Sequence, residues 1–173
     1  PNLVAAAQQA GVTGSAPYSG DPDSDAANSA AGAQEQVPPE HQEAYMLAQQ
    51  GDYAGAAAAY EKVLEADPND ARAARERAKA LLLARSANAN VREVRAAAAD
   101  NPDDVEAQLA VADIDMIGGQ IQDAFDRLLD FVAAGHKADI EPVRKRLLEY
   151  FTIPEPTDER LKRARRRLAT LMY

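Results

Sequence analysis

Few residues of this chain are equipped for chemistry, and their spacing argues against catalysis. The two histidines, His41 and His136, stand far apart with no ligand cluster around either. A surface or turn-associated role is expected for both, and a metal site is not. Cysteine is absent, which removes disulfides, thiolate nucleophiles and cysteine-bound zinc. Two acidic groups fall at close spacing within helical segments: Asp113 with Asp115, and Asp123 with Asp126 and Asp130. Paired carboxylates can share acid–base work, but no His, Ser or Lys constellation accompanies them, so a solvated helix face is expected. The stretch GVTGSAPYSGD holds glycine and serine without the lysine of a phosphate loop. What remains is electrostatic. Arg165, Arg166 and Arg167 open the ending RRRLATLMY. Such a run can contact phosphates, yet no aromatic residues interleave it for base stacking, and the rest of the chain is acidic. Nucleic acid is not supported as a partner, no cofactor is expected, and an enzyme is the least supported class.

The elements that position these groups follow from composition and breakers. The chain has 173 residues and a net charge of −9, room for one domain and a tail. Residues 1–70 are acidic with a single lysine, whereas residues 141–173 are net positive, a candidate surface for an acidic partner. Alanine dominates the hydrophobic fraction, with three Phe and no Trp. Thin layers of closely approaching helices suit that composition better than a single deep aromatic core. No apolar run nears the roughly 20 residues needed to span a bilayer, and no signal-peptide pattern is present. The absence of cysteine fits a cytoplasmic protein.

Residues 1–11, PNLVAAAQQAG, read as the last turns of a helix ended by Gly11. Residues 12–38 are rich in Gly, Ser, Ala, Asp and Pro, and should form a flexible linker because they have little to bury. From Pro39 the pattern is helical, interrupted at Gly51, Pro68, Ser86–Asn90, Pro102, Gly118–Gly119, Gly135, Pro154 and Pro156. No strand-like alternation is seen, so the fold class is all-α with about eight helices.

The stretch GDYAGAAAAYEKVLEADPND ends in a motif that returns as DNPDD, and Pro68 and Pro102 lie 34 residues apart. That is the tetratricopeptide period. In the first unit Ala44 allows a close crossing, Gly51 ends the first helix, and Asp52 caps the second. Ala56, Tyr60 and Val63 share its inner face, and Pro68 stops it. The second unit, Ala71–Asp104, has Ala78 and Leu81 in its first helix but a glycine-free turn, RSANANV, and is degenerate. The third begins at Val105, with Asp103 and Glu106 at capping-box spacing, Ala112 at the small position, and Ala124, Leu128 and Phe131 inside its second helix. Residues 39–136 therefore read as three tetratricopeptide-like units whose stacking makes one thin core and a concave surface.

Residues 137–173 add C-terminal capping helices. In the first, Val143, Leu147 and Phe151 recur one turn apart. Thr157 or Asp158 can cap the second, where Leu161, Ala164, Leu168, Leu171 and Met172 form an apolar stripe amid Arg and Lys. The stripe should be mainly core. A partner site on the basic face or the terminal LMY is compatible with that.

The three hairpins, the segment GGQIQDAFDRLLDFV and the ending RRRLATLMY together resemble the C-terminal half of the CnoX/YbbN co-chaperones, or chaperedoxins, over roughly His41 to Tyr173. Arg165, Arg166, Leu168, Leu171 and Tyr173 carry the more specific part of the likeness. The resemblance implies a holdase-type chaperone that binds unfolding client proteins and passes them to the GroEL chaperonin. It implies a thioredoxin-like domain upstream, with residues 1–11 as a candidate tail of it, and no redox centre in this chain. It makes Leu168, Leu171, Met172 and Tyr173 candidate docking residues, flanked by Arg165, Arg166 and Arg167. The alternative is a generic tetratricopeptide scaffold holding a partner peptide in its concave groove, where Arg72, Arg75, Arg77 and Lys79 crowd one helix.

Overall fold

A computed structural model describes residues 36–173. The helix tail expected at 1–11 lies outside the described residues, as does the linker expected at 12–38 except for its last three residues.

Among the described residues there are eight α-helices, two short 3-10 turns and no strands. The helices are α1 (Gln42–Gln49), α2 (Tyr53–Ala66), α3 (Ala71–Ser86), α4 (Val91–Asp100), α5 (Val105–Ile117), α6 (Ile121–Ala133), α7 (Ile140–Tyr150) and α8 (Glu159–Met172). Local chemistry sets the boundaries. Gly51 takes φ 82° just past α1, a conformation that side chains with a Cβ resist. The Asp52 carboxylate then accepts from the Gly55 N–H and opens α2. Asp70 and Asn90 do the same for α3 and α4, so the glycine-free second turn still has a working cap. Asp158, not Thr157, caps α8.

At α5 the capping box expected between Asp103 and Glu106 is not formed. Asp104 is the cap and accepts from the Glu106 N–H, because its extended backbone places its carboxylate over the helix start. The Asp103 carboxylate is turned away to His136.

Successive helices form the stack. α1 lies on α2, α2 on α3, α3 on α5, and α5 on α6; α7 covers α5 and α6, and α8 covers α6. α4 departs from the regular scheme: it rests against α5 and does not close a hairpin on α3. Its sequence, VREVRAAAAD, supplies a single buried side chain, Ala98, too little apolar surface to hold two neighbours.

Small residues line the crossings where the period places them: Ala44, Ala56, Ala78, Ala112 and Ala124 are all buried. Among the described residues, the buried ones form three clusters rather than the one continuous core expected from stacking, and the aromatic rings are concentrated in the largest. Phe125, Phe131 and Phe151 all enter one cluster with Tyr150, Leu128, Leu147 and Leu161, and the Phe125 and Phe151 rings meet edge to face at 5.3 Å. Composition averaged over the chain hides that these side chains are concentrated in α6–α8. Phe151 joins this core from just beyond the end of α7.

Candidate functional site

Three features of the stack bear on function: a buried ionic hub, a groove beside it, and the outer face of α8.

The hub corrects the expectation of a solvated acidic face at Asp113 and Asp115. Both carboxylates are 3% exposed. α5 is covered on several sides, so its two acids enter the stack and must be paired there. Asp113 receives Arg85 Nε and Nη2 of α3, both at 2.9 Å, Arg146 Nη1 of α7 at 2.8 Å, and the Tyr150 hydroxyl at 2.5 Å. Arg85 reaches on to Glu149 at 2.7 and 3.2 Å. One carboxylate thus ties three helices together. Burial alone works against the charge of Arg85, but its bonds to Asp113 and Glu149 outweigh this and hold its proton more firmly than usual. Burial, reinforced by the charge of Asp113, pushes the Tyr150 hydroxyl far above its ordinary value, so it acts as a donor. Asp115 receives Arg95 Nη2 of α4 at 2.7 Å, with Arg127 of α6 at 3.9 Å.

His41 is also corrected. It is 1% exposed rather than a surface residue. Its Nε2 lies 2.6 Å from Asp70 Oδ2, and its ring meets Tyr60 edge-on at 5.7 Å. The 3-10 turn at Pro39–His41 tucks it between the first hairpin and the cap of α3. His136 sits in the turn after α6, as expected. It stacks on Phe131 at 4.0 Å and reaches Asp103 with Nε2.

The groove runs between α4, α5 and α6 and encloses about 1000 Å³. Arg95, Ala98, Val111, Arg127 and Phe131 form part of its lining. Gln108 braces it, donating to the Ala98 and Pro102 carbonyls and accepting from Arg127 Nη1 at 2.9 Å. The groove exists because α4 stands off from α3 and leans on α5.

On α8 the structure divides the residues singled out from sequence. Leu168 is 5% exposed and belongs to the core, and Leu171 packs half-buried against the same cluster. Arg165, Arg166, Met172 and Tyr173 face outward, with the Arg165 guanidinium 5.9 Å from the Phe151 ring centre. Arg167 is held on α6, 2.5 Å from Asp130 and 4.0 Å from Asp126. The stripe of Leu161, Ala164 and Leu168 is core as expected, while Met172 falls off it. The α3 bases are partly engaged: Arg75 and Lys79 with Glu76, and Arg77 with Glu61.

The hub and Gln108 escaped the sequence reading. A signal was present in LAVADIDMI: acids inside an almost wholly apolar helix have no polar face to occupy and need buried partners.

Among the described residues no group of three or more His, Asp or Glu side chains is placed to hold a metal ion. Nor is any helix long and apolar enough to cross a membrane.

The sequence profile described as tetratricopeptide repeat matches residues 84–173. Relatives include the uncharacterized proteins Mb1359 of Mycobacterium bovis and Rv1324 of Mycobacterium tuberculosis. Each is 30% identical over 141 residues, 80% of this chain. The match spans 45% of each relative's length. No solved structure gives a significant match.

Proposed function

The chain belongs to the tetratricopeptide repeat family, a protein-interaction fold, and on that premise we propose that it is the interaction module of a cytoplasmic, holdase-type co-chaperone. In this reading it binds unfolding clients and docks on a GroEL-type chaperonin through the end of α8. The observation that carries the reading is the division of α8. Its inner stripe is locked into the core, while Met172 and Tyr173 at its end are exposed, as is Arg166 about two turns earlier. An exposed Met–Tyr pair with a cation on the same helix suits docking into an apolar pocket with an acidic rim, since aromatic and arginine anchors dominate interface energetics. Leu168 and Leu171 set the angle of the helix rather than touch the partner first. A thioredoxin-like domain upstream is part of the proposal, and the relatives' length beyond the match leaves room for one in them.

The test is co-elution and surface-plasmon binding to purified GroEL. Removal of Met172 and Tyr173 alone, which leaves Leu168 in the core, should weaken binding at least tenfold with the helical circular dichroism unchanged. Unaltered binding would remove the docking assignment.

A second reading is favoured by the groove of about 1000 Å³ between α4, α5 and α6, which is lined along all three helices by apolar and charged side chains. There the chain is a scaffold that holds a partner's segment away from α8. Charge reversal in the groove, but not truncation at Met172, should abolish capture of such a segment.

A further inference from the structure

We infer that the groove between α4, α5 and α6 receives a basic segment of a partner protein, whose arginine or lysine side chains meet the acidic wall of α6 while its small apolar side chains lie against Ala98, Val111 and Phe131. The inference rests on the groove reading above and adds the chemistry of the occupant.

Charge balance carries the argument. The lining contains the carboxylates of Asp103, Asp115, Asp123, Asp126 and Asp130, against the guanidiniums of Arg95 and Arg127. Both guanidiniums lie beside the buried Asp115, at 2.7 and 3.9 Å, and Arg127 also donates to Gln108. Arg127 Nε has no hydrogen-bond partner among the described residues, and the wall stays net acidic, with five carboxylates against two guanidiniums. The carboxylates that face outward are those of Asp103 and of the α6 row. The Asp123 carboxylate has no hydrogen-bond or ionic partner among the described residues. A concave wall of one sign focuses its field and raises the local concentration of the opposite charge.

The chain itself shows what this wall binds. Arg167 of α8 already lies on Asp130 and Asp126, and Arg163 donates to Gln122 on the same helix at 3.2 Å. One edge of α6 is therefore a guanidinium site in use, and Asp123 continues it one turn toward the start of α6. Between the charged rims the lining is apolar, with Ala98, Ala99, Val111 and the Phe131–His136 stack. This pattern suits cationic side chains whose methylene stems cover apolar surface while their heads stay near carboxylates.

Fluorescence anisotropy with three labelled fifteen-residue peptides tests this. All share an alanine–leucine framework, with lysine, glutamate or glutamine at the same alternate positions. The lysine peptide should bind, and raising salt from about 50 to 200 mM should weaken it several-fold, as the screening length shortens. The double reversal Asp123→Lys with Asp126→Lys should weaken it at least tenfold. Glu43→Lys with Glu65→Lys makes the same change of net charge on α1 and α2 and should cost less than twofold. Circular dichroism melts accompany each variant, and Asp123→Asn with Asp126→Asn, a milder change, should reproduce the loss in part. Equal losses from both double reversals would overturn the inference, because net charge would then explain the binding. Preference for the glutamate peptide, lost with the same groove variants, would overturn the basic assignment and leave the groove reading standing. Binding of none of the three would overturn both. Concentration-dependent self-association, abolished equally by the groove reversal and by Arg163→Glu with Arg166→Glu, would reassign the groove to a second copy of this chain.

Discussion

Around α1–α3 the buried side chains are mostly single methyl groups: Ala44, Ala56, Ala57, Ala59, Ala73, Ala78 and Ala80, with Tyr60 and Leu82 the large exceptions. Around α5–α8 they are Phe125, Leu128, Leu129, Val132, Leu147 and Tyr150. Both regions bring helices together, but the physics differs. Alanine lets backbones approach closely and adds little transfer energy, since each buried methylene contributes only about 0.8 kcal/mol. Large side chains fill volume, and their removal opens cavities. The family profile begins at residue 84, at the end of α3, and so covers the second kind of region. The N-terminal hairpin extends the stack by close approach, whereas the C-terminal helices supply most of the apolar volume. The ionic hub joins the two, because Arg85 belongs to α3 and Asp113 to α5.

The most damaging change should be Phe125→Ala, which opens a cavity at the centre of the larger core. A loss of about 4 kcal/mol is expected, read as a lowered midpoint in chemical denaturation, with cooperative unfolding of α5–α8. Asp113→Ala comes next, at about 3 kcal/mol, because it leaves Arg85 and Arg146 facing one another with the Tyr150 hydroxyl unpaired. Its signature is specific: hydrogen exchange should rise at the ends of both α3 and α7. If protection changed on α5 alone, the hub would not be what joins the regions.

Ala73→Leu tests the opposite region. Overfilling a fully buried alanine site should cost about 2 kcal/mol, and exchange should accelerate through α1–α3 while α6–α8 stay protected. Unfolding of the whole stack together would erase the distinction between the two regions. The smallest effect concerns Asp70. The hydrogen bond from the Ala73 N–H, with His41 adding to it, holds the Asp70 carboxyl below its ordinary value of 3.8. A depressed folded value means that the stabilisation is complete above the unfolded value and fades as pH falls below it. Exchange at the start of α3 should therefore rise as pH falls below about 4, and Asp70→Asn should flatten that dependence.

Much of the fold was legible because its signals are local. Gly51 needs only its own backbone freedom, Asp52 reaches three residues ahead, and Pro68 blocks its own helix. The recurrence of these signals pointed to Ala44, Ala56, Ala78, Ala112 and Ala124, all of them buried. The site was less legible. Asp113, Arg85, Arg146 and Tyr150 come from three helices far apart in sequence, and nothing local links them. Leu168 and Met172 looked alike on a helical stripe, yet one is core and the other exposed, because α8 meets α6 over only part of its length. The choice between Asp103 and Asp104 as a cap turned on where His136 lies, at the far end of another helix.

The order of residues by itself settled the all-α class, the repeat period, most of the helix ends and the absence of cysteine from this chain. These depend on interactions spanning a few residues, which composition and spacing encode directly. The tertiary arrangement decided which acids are buried, that α4 leans on α5 to leave a groove, and which face of α8 meets water. Those outcomes depend on which helices become neighbours, and burial converts an ordinary carboxylate into the tie between them.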